Sequence, residues 1–201
     1  MIIRSFRVLL MLFLLLKVAP VQANEGSNFM VSGLRTEYLE NPIGLDVATP
    51  RFTWIIESSY PGFKQRAVRI IVSPDSAGLS AGRLLHWQGQ VTGSAQRAVY
   101  AGKPLVPFTR YFWRVYVTDG KGSVKASPIA RFETGMMTMD RWKGAWISDG
   151  HGIDERSAPY IRKSFRLSKT VSSARAYISA GGLFEMHING RRVGNHQLDP
   201  A

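Results

Sequence analysis

Leu105-Val106-Pro107-Phe108-Thr109-Arg110-Tyr111-Phe112-Trp113-Arg114-Val115-Tyr116-Val117-Thr118-Asp119-Gly120 decides how this chain is read. From Tyr111 to Val117 every second residue is large and apolar or aromatic: Tyr111, Trp113, Val115 and Val117. Side chains alternate faces along a strand, so these four line one face while Phe112, Arg114 and Tyr116 point the other way. The pattern predicts a half-buried strand at the centre of an antiparallel sheet. Asp119-Gly120 and Gly122 close it with a turn. Leu105, Pro107, Thr109 and Tyr111 step into it at a spacing of two.

This stepped leader resembles the approach to the central strand of a fibronectin type III or immunoglobulin-like sandwich. There a tyrosine acts as a corner, its ring packed and its hydroxyl bonded back to the nearby chain. Tyr111 is the candidate for that role. Outward from it, Phe52, Trp54 and Ile56 alternate with Arg51, Thr53 and Ile55, and Trp54 is expected to face Trp113 from the opposing sheet. Val68, Ile70 and Val72 share one face of a strand over 65–72. Pro74 to Gly82 reads as a loop, Leu84 to Trp87 with Val91 as an edge-like element, Val99-Tyr100 as a short piece before a turn, and Ile129 to Glu133 as a closing strand. About seven short strands over about one hundred residues is the sandwich pattern, and no stretch of this half carries a helical period.

Composition bounds the rest. The chain has 201 residues, 45% hydrophobic and 20% charged, which is globular and fits one large or two small domains. Residues 1–23 read as a secretory leader. Arg4 and Arg7 precede the apolar run Val8–Leu16, and Val21-Gln22-Ala23 offers a cleavage site. Lys17 and Pro20 keep the run too short to span a bilayer. Arg4, Arg7 and Lys17 lie in that leader, leaving +9 of the formal +12 on the remainder. Basic residues scattered along the sequence, with Arg191-Arg192 the tightest pair, argue against nucleic-acid binding, which needs a clustered patch. There is no cysteine, hence no disulfide framework and no lipid-anchored thiol. Export to the periplasm or the medium is expected, with no stable membrane anchor once the leader is cleaved.

The expected domains are a linker at 24–33, a sandwich at 34–135 and a second unit at 142–201. In the second unit Ile161–Leu167 alternates with Phe165 and Leu167 inward, Ala174–Ala180 alternates on alanine and Ile178, and Phe184, Met186 and Ile188 lead to Asn189-Gly190, a tight hairpin turn. These strands are too few to cover both faces of a sheet, so the unit reads as incomplete.

Several of these segments together resemble the N-terminal region of bacterial α-L-rhamnosidases. They are Leu34-Arg35-Thr36-Glu37, Asn41-Pro42-Ile43-Gly44-Leu45-Asp46, Pro50-Arg51-Phe52-Thr53-Trp54 and Tyr111 to Val115, followed by Phe132-Glu133-Thr134-Gly135 and Trp142-Lys143-Gly144-Ala145-Trp146-Ile147. Arg162-Lys163-Ser164-Phe165, Ala174–Ala180, Gly182-Leu183-Phe184-Glu185 and Asn189 to Gly194 continue the match, from about Leu34 to Ala201. Order and spacing make it specific. Trp87-Gln88-Gly89-Gln90-Val91 departs from it, since the family carries an acidic residue and a serine after this tryptophan, so no binding role is transferred there. The resemblance implies an all-β chain: a fibronectin-III/immunoglobulin-like sandwich, then an incomplete, jelly-roll-like second β-sandwich. It implies an inverting hydrolase that removes α-L-rhamnose from glycans, one carboxylic acid protonating the leaving oxygen and one carboxylate activating water. Both are glutamates of an (α/α)₆ barrel expected beyond this sequence. No catalytic, cofactor-binding or metal residue is therefore assigned, no cofactor is expected, and the rhamnose-containing glycan is a partner only through that barrel.

Local candidates are few. Asp149, His151, Asp154 and Glu155 could hold Ca²⁺ or serve as acid and base, but polar side chains also belong in any solvated loop. His86, His187 and His196 have no partners at metal spacing. Trp142 and Trp146 could stack on sugars, and are expected instead to seal the junction of the two units. No Ser-His-Asp, phosphate-loop or metal motif is present. The alternative functions are a secreted non-catalytic carbohydrate-binding or adhesion module, and the product of a broken gene. The downstream reading frame separates them from the enzyme.

Overall fold

The computed structural model describes residues 28–59, 61–152, 154 and 158–195. The leader expected at 1–23 lies outside them. The chain divides into two compact units, Met1–Gly144 and Ala145–Ala201.

The first unit holds β1 (Phe29–Thr36), β2 (Arg51–Ser58), β3 (Gln65–Ser73), the short helix α1 (Ser76–Ser80), β4 (Trp87–Thr92), β5 (Arg97–Val99), β6 (Arg110–Asp119), β7 (Val124–Ala126) and β8 (Ala130–Glu133). One sheet runs β1-β2-β5; the other runs β4-β3-β6-β7, with β8 also paired to β6. All pairings between these strands are antiparallel. The fold is all-β and immunoglobulin-like, as expected, with β6 central in its sheet.

Register explains the core. Val68 pairs with Val117, Ile70 with Val115 and Val72 with Trp113, so both strands present apolar residues at the same heights of the inner face. All six are buried. Each such side chain contributes roughly 1.5–3 kcal/mol of burial free energy. Tyr111 stacks on its cross-strand partner Phe132 with centroids 5.3 Å apart. From the opposing sheet, the ring that meets Trp113 is Phe52, at 4.6 Å, whereas Trp54 is buried two residues further along the strand. This corrects the expected Trp54–Trp113 pairing. Alternation fixes a face, but the offset between twisted sheets fixes which residue on that face lies opposite.

Three further differences have local causes. β1 begins at Phe29, inside the segment expected as a linker at 24–33. Phe29 and Val31 are buried, then Leu34 and Thr36, so the alternation changes phase at a register shift between Ser32 and Arg35. Gly33 sits there with φ +58°, and a Cβ on it would lie 2.7 Å from Ile55 Cδ1. A bulge of this kind breaks the period-two pattern that identifies a strand. The expected loop over 74–82 contains α1, capped by Asp75, whose carboxylate accepts from Ala77 N and Gly78 N. Five residues carry no readable helical period. The helix packs on β3; its Leu79 is buried, as is Ile71 on the outward side of that strand. β7, three exposed residues, carries no apolar alternation either.

In the second unit the strands among the described residues are β9 (His187–Ile188) and β10 (Arg191–Arg192), paired antiparallel around Asn189-Gly190. The hairpin is the expected one, with φ +50° and +77° at its two turn residues. The strands expected over 161–167 and 174–180 do not form, and Phe165 and Leu167, expected inward, are 73% and 64% exposed. Only Phe184 and Met186 are even half-buried among the described residues of this unit. An alternating segment becomes a strand only when a neighbour takes its N–H and C=O groups and an opposing layer covers its apolar face.

Candidate functional site

Tyr111 is the corner that its sequence position suggested. Its hydroxyl accepts from Val106 N at 2.9 Å, five residues upstream. Around it, Phe108 adopts φ +53° and donates its N–H to Gly135 O at 2.9 Å. Thr109 N donates to Thr134 Oγ1 at 2.9 Å, and Thr134 Oγ1 donates to Val106 O at 2.7 Å. Leu45 forms a parallel bridge to Thr134, and Asp46 Oδ1 accepts from Met137 N at 2.7 Å. The family-like segment Asn41–Asp46 thus lies along the free edge of β8, where Glu133 N also donates to Pro42 O. An edge covered in this way cannot recruit a foreign strand. These residues are scaffold.

Several carboxylates are likewise committed. Glu37 forms a bidentate pair with Arg51, and its Oε1 also accepts from Arg51 N. The Arg51 hydrogen bonds hold the Glu37 carboxyl below its ordinary value against a smaller opposing effect of burial. Glu133 pairs with Arg110 at 2.8 Å. Asp119 Oδ1 accepts from Lys121 N and Ser123 N, closing the turn after β6. Asp140 is also lowered, chiefly by the Thr138 side chain. A general acid for glycoside hydrolysis needs the opposite shift.

Of Asp149, His151, Asp154 and Glu155, the four residues expected to gather in this loop, the described ones that meet are Asp149 and His151. His151 N donates to Asp149 Oδ1 at 3.1 Å, and Nδ1 lies 3.0 Å from Oδ2, a local turn at the surface. Asp154 is exposed, and Glu155 lies outside the described residues. No group of three or more His, Cys, Asp or Glu that could hold a metal occurs among the described residues. His86 is an aromatic-cluster residue, its ring 5.1 Å from Tyr111 and 6.3 Å from Tyr100, with Nε2 3.3 Å from Pro104 O. Burial pushes the Tyr100 hydroxyl up to about 12, with a smaller contribution from Tyr111, and it donates to Lys103 O at 2.6 Å. His187 is exposed on β9, and His196 lies outside the described residues. Trp142 is half-buried, and Trp146 is 77% exposed.

What sequence reading missed is a basic face. Arg69 and Tyr116 are register partners across β3 and β6, and both point outward from the five-stranded sheet. The Arg69 guanidinium lies 4.2 Å from the Tyr116 ring centroid, and that of Arg114 5.5 Å. Arg114 is anchored by donating Nε and Nη2 to Ser127 O, at 3.1 and 2.6 Å. Arg131, opposite Phe112, and Arg110 share the face. These arginines are scattered in sequence, and antiparallel register gathers them. The available signal was parity: Arg110, Arg114 and Tyr116 share the outward phase of β6.

The sequence profile of the Rha78A-like, N-terminal immunoglobulin domain matches residues 31–138, and that of the alpha-L-rhamnosidase N-terminal domain matches residues 169–201. Among curated proteins, the chain is 31% identical over 197 residues to an alpha-L-rhamnosidase of Streptomyces avermitilis, covering 86% of this chain and 19% of that protein. It is 34% identical over 182 residues to one of Formosa agariphila, covering 83% and 19%. The structure of the S. avermitilis enzyme complexed with L-rhamnose superposes with TM-score 0.56 at 39% identity, covering 60% of this chain and 12% of that one. That of the Dictyoglumus thermophilum enzyme does so with TM-score 0.57 at 34% identity, covering 61% and 14%. The chain spans about a fifth of the length of the curated relatives it matches.

Proposed function

Because the chain belongs to the family of Rha78A-like N-terminal immunoglobulin domains, we propose that it is the non-catalytic N-terminal portion of an exported α-L-rhamnosidase-like glycoside hydrolase acting on rhamnose-containing glycans. The observation that carries the reading is the order of the two matches, an immunoglobulin-like domain at 31–138 and then a rhamnosidase N-terminal domain at 169–201, on a chain covering 19% of its relatives. Inverting hydrolysis needs two carboxyl groups roughly 6.5–9.5 Å apart on opposite sides of a sugar. Here Glu37, Asp119, Glu133 and Asp149 are each engaged by a neighbouring cation or turn, which supports a supporting role. Export rests on Arg4, Arg7, the Val8–Leu16 run and Val21-Gln22-Ala23, with Asn24 as the mature N-terminus.

The test is hydrolysis of an aryl α-L-rhamnoside. Residues 24–201 alone should release the aryl group no faster than buffer, whereas a longer protein carrying a barrel with paired glutamates should turn over. Turnover by residues 24–201 that disappears in Asp154→Asn would place an active site inside this chain and end the reading.

A further inference from the structure

We propose that the outward face of the five-stranded sheet is a docking surface for an acidic polysaccharide. Four arginines, Arg69, Arg110, Arg114 and Arg131, share the outward positions of β3, β6 and β8 with one carboxylate, Glu133, which Arg110 neutralises. Asp75, on the helix over the same sheet, is occupied in capping it. No carboxylate among the described residues pairs with Arg69, Arg114 or Arg131.

Gathering like charges costs energy unless something offsets it. Here Tyr116 presents its ring within 5.5 Å of two guanidinium groups, and Ser127 O takes two hydrogen bonds from Arg114. The Arg69 and Arg114 guanidiniums are thereby held in place, and a fixed guanidinium fork matches a carboxylate or sulfate. Gln90 extends the row in direct register with Arg69, and Gln88 lies opposite Ile71. Both amides are exposed and suit hydroxyl groups. Among the described residues of this face the large apolar side chains left accessible are half-buried Phe112 and, at the edge, exposed Val124, too few to form the apolar core that anchors a protein partner. An extended, hydroxylated polyanion fits these features better than a folded protein does. The choice of polysaccharide over polypeptide also rests on the glycan-acting reading above.

Binding of the full chain to immobilised polygalacturonate, by surface plasmon resonance at about 0.15 M salt, tests this. Wild type should bind, and dextran should not compete. Arg69→Gln and Arg131→Gln should each weaken binding about fivefold, the upper end for an exposed charge. Arg97→Gln, which removes one exposed charge from the three-stranded sheet, should leave it unchanged. Unchanged thermal midpoints will show that the variants fold. Absence of binding, an equal loss in Arg97→Gln, or equally tight binding to polyglutamate would overturn the proposal. Failure of the rhamnosidase reading would appear instead in hydrolysis by the longer protein and would leave these affinities unmoved.

Discussion

Two stretches of this chain carry the same pattern and meet opposite fates. Tyr111–Val117 alternates, and its inward members are at most 1% exposed; Ile161–Leu167 alternates as well, and Phe165 is 73% exposed. The intrinsic tendencies are alike. What differs is company: β6 has β3 on one side, β7 and β8 on the other, and Phe52 from the opposing sheet above Trp113. Residues 161–167 have neither a paired strand nor a covering layer among the described residues. Alternation states which face would be buried, and only the second layer buries it.

The contrast can be broken most forcefully at Trp113. Trp113→Ala should cost about 3–5 kcal/mol, the range for removing a large aromatic from a core, most of what a small domain has. A denaturant midpoint that barely moves would mean that the first sandwich is no better packed than the second unit. Next in size is the corner. Tyr111→Phe keeps the ring on Phe132 but removes the acceptor of Val106 N, for about 1 kcal/mol. Thermal unfolding should show the loss, and no loss would mean that stacking alone holds the corner.

A smaller effect should appear as pH dependence. The Glu37 carboxyl is harder to protonate in the folded chain, because Arg51 donates to it. Its contribution is therefore present above the unfolded carboxyl value, about 4.3, and is lost as pH falls through the lower folded value. Wild type and Glu37→Gln should differ in thermal midpoint at neutral pH and converge in acid. A constant gap across that range would remove the ion pair as its cause. The smallest effect belongs to the second unit: Phe165→Ala should change stability by less than about 0.5 kcal/mol. A change approaching that of Trp113→Ala would reveal a core around Phe165.

The candidate surface was less legible than the scaffold. Tyr111 stood out because the corner is local in sequence, its hydroxyl meeting Val106 N five residues upstream, whereas Asn41–Asp46 stood out only by resemblance, since the β8 residues it covers lie about ninety positions further on. Arg69, Arg114 and Arg131 did not, because nothing in a linear sequence sets residues so far apart beside one another. β1 was half-hidden for a different reason: the bulge at Gly33 shifts its phase, so neither half alternates long enough to be seen.

By itself, then, the sequence determined the faces of β2, β3 and β6, the corner tyrosine, the turn at Asp119 and the Asn189-Gly190 hairpin. Each follows from side-chain period or backbone sterics within a few residues. Tertiary structure alone decided that Phe52 rather than Trp54 covers Trp113, that Ile71 is buried on the outward side of the strand on which α1 packs, that Arg69 and Arg114 converge on Tyr116, and that the alternation at 161–167 stays exposed. Those outcomes depend on register, on the offset between twisted sheets and on whether an opposing layer is present, and all three are relations between segments distant in the chain.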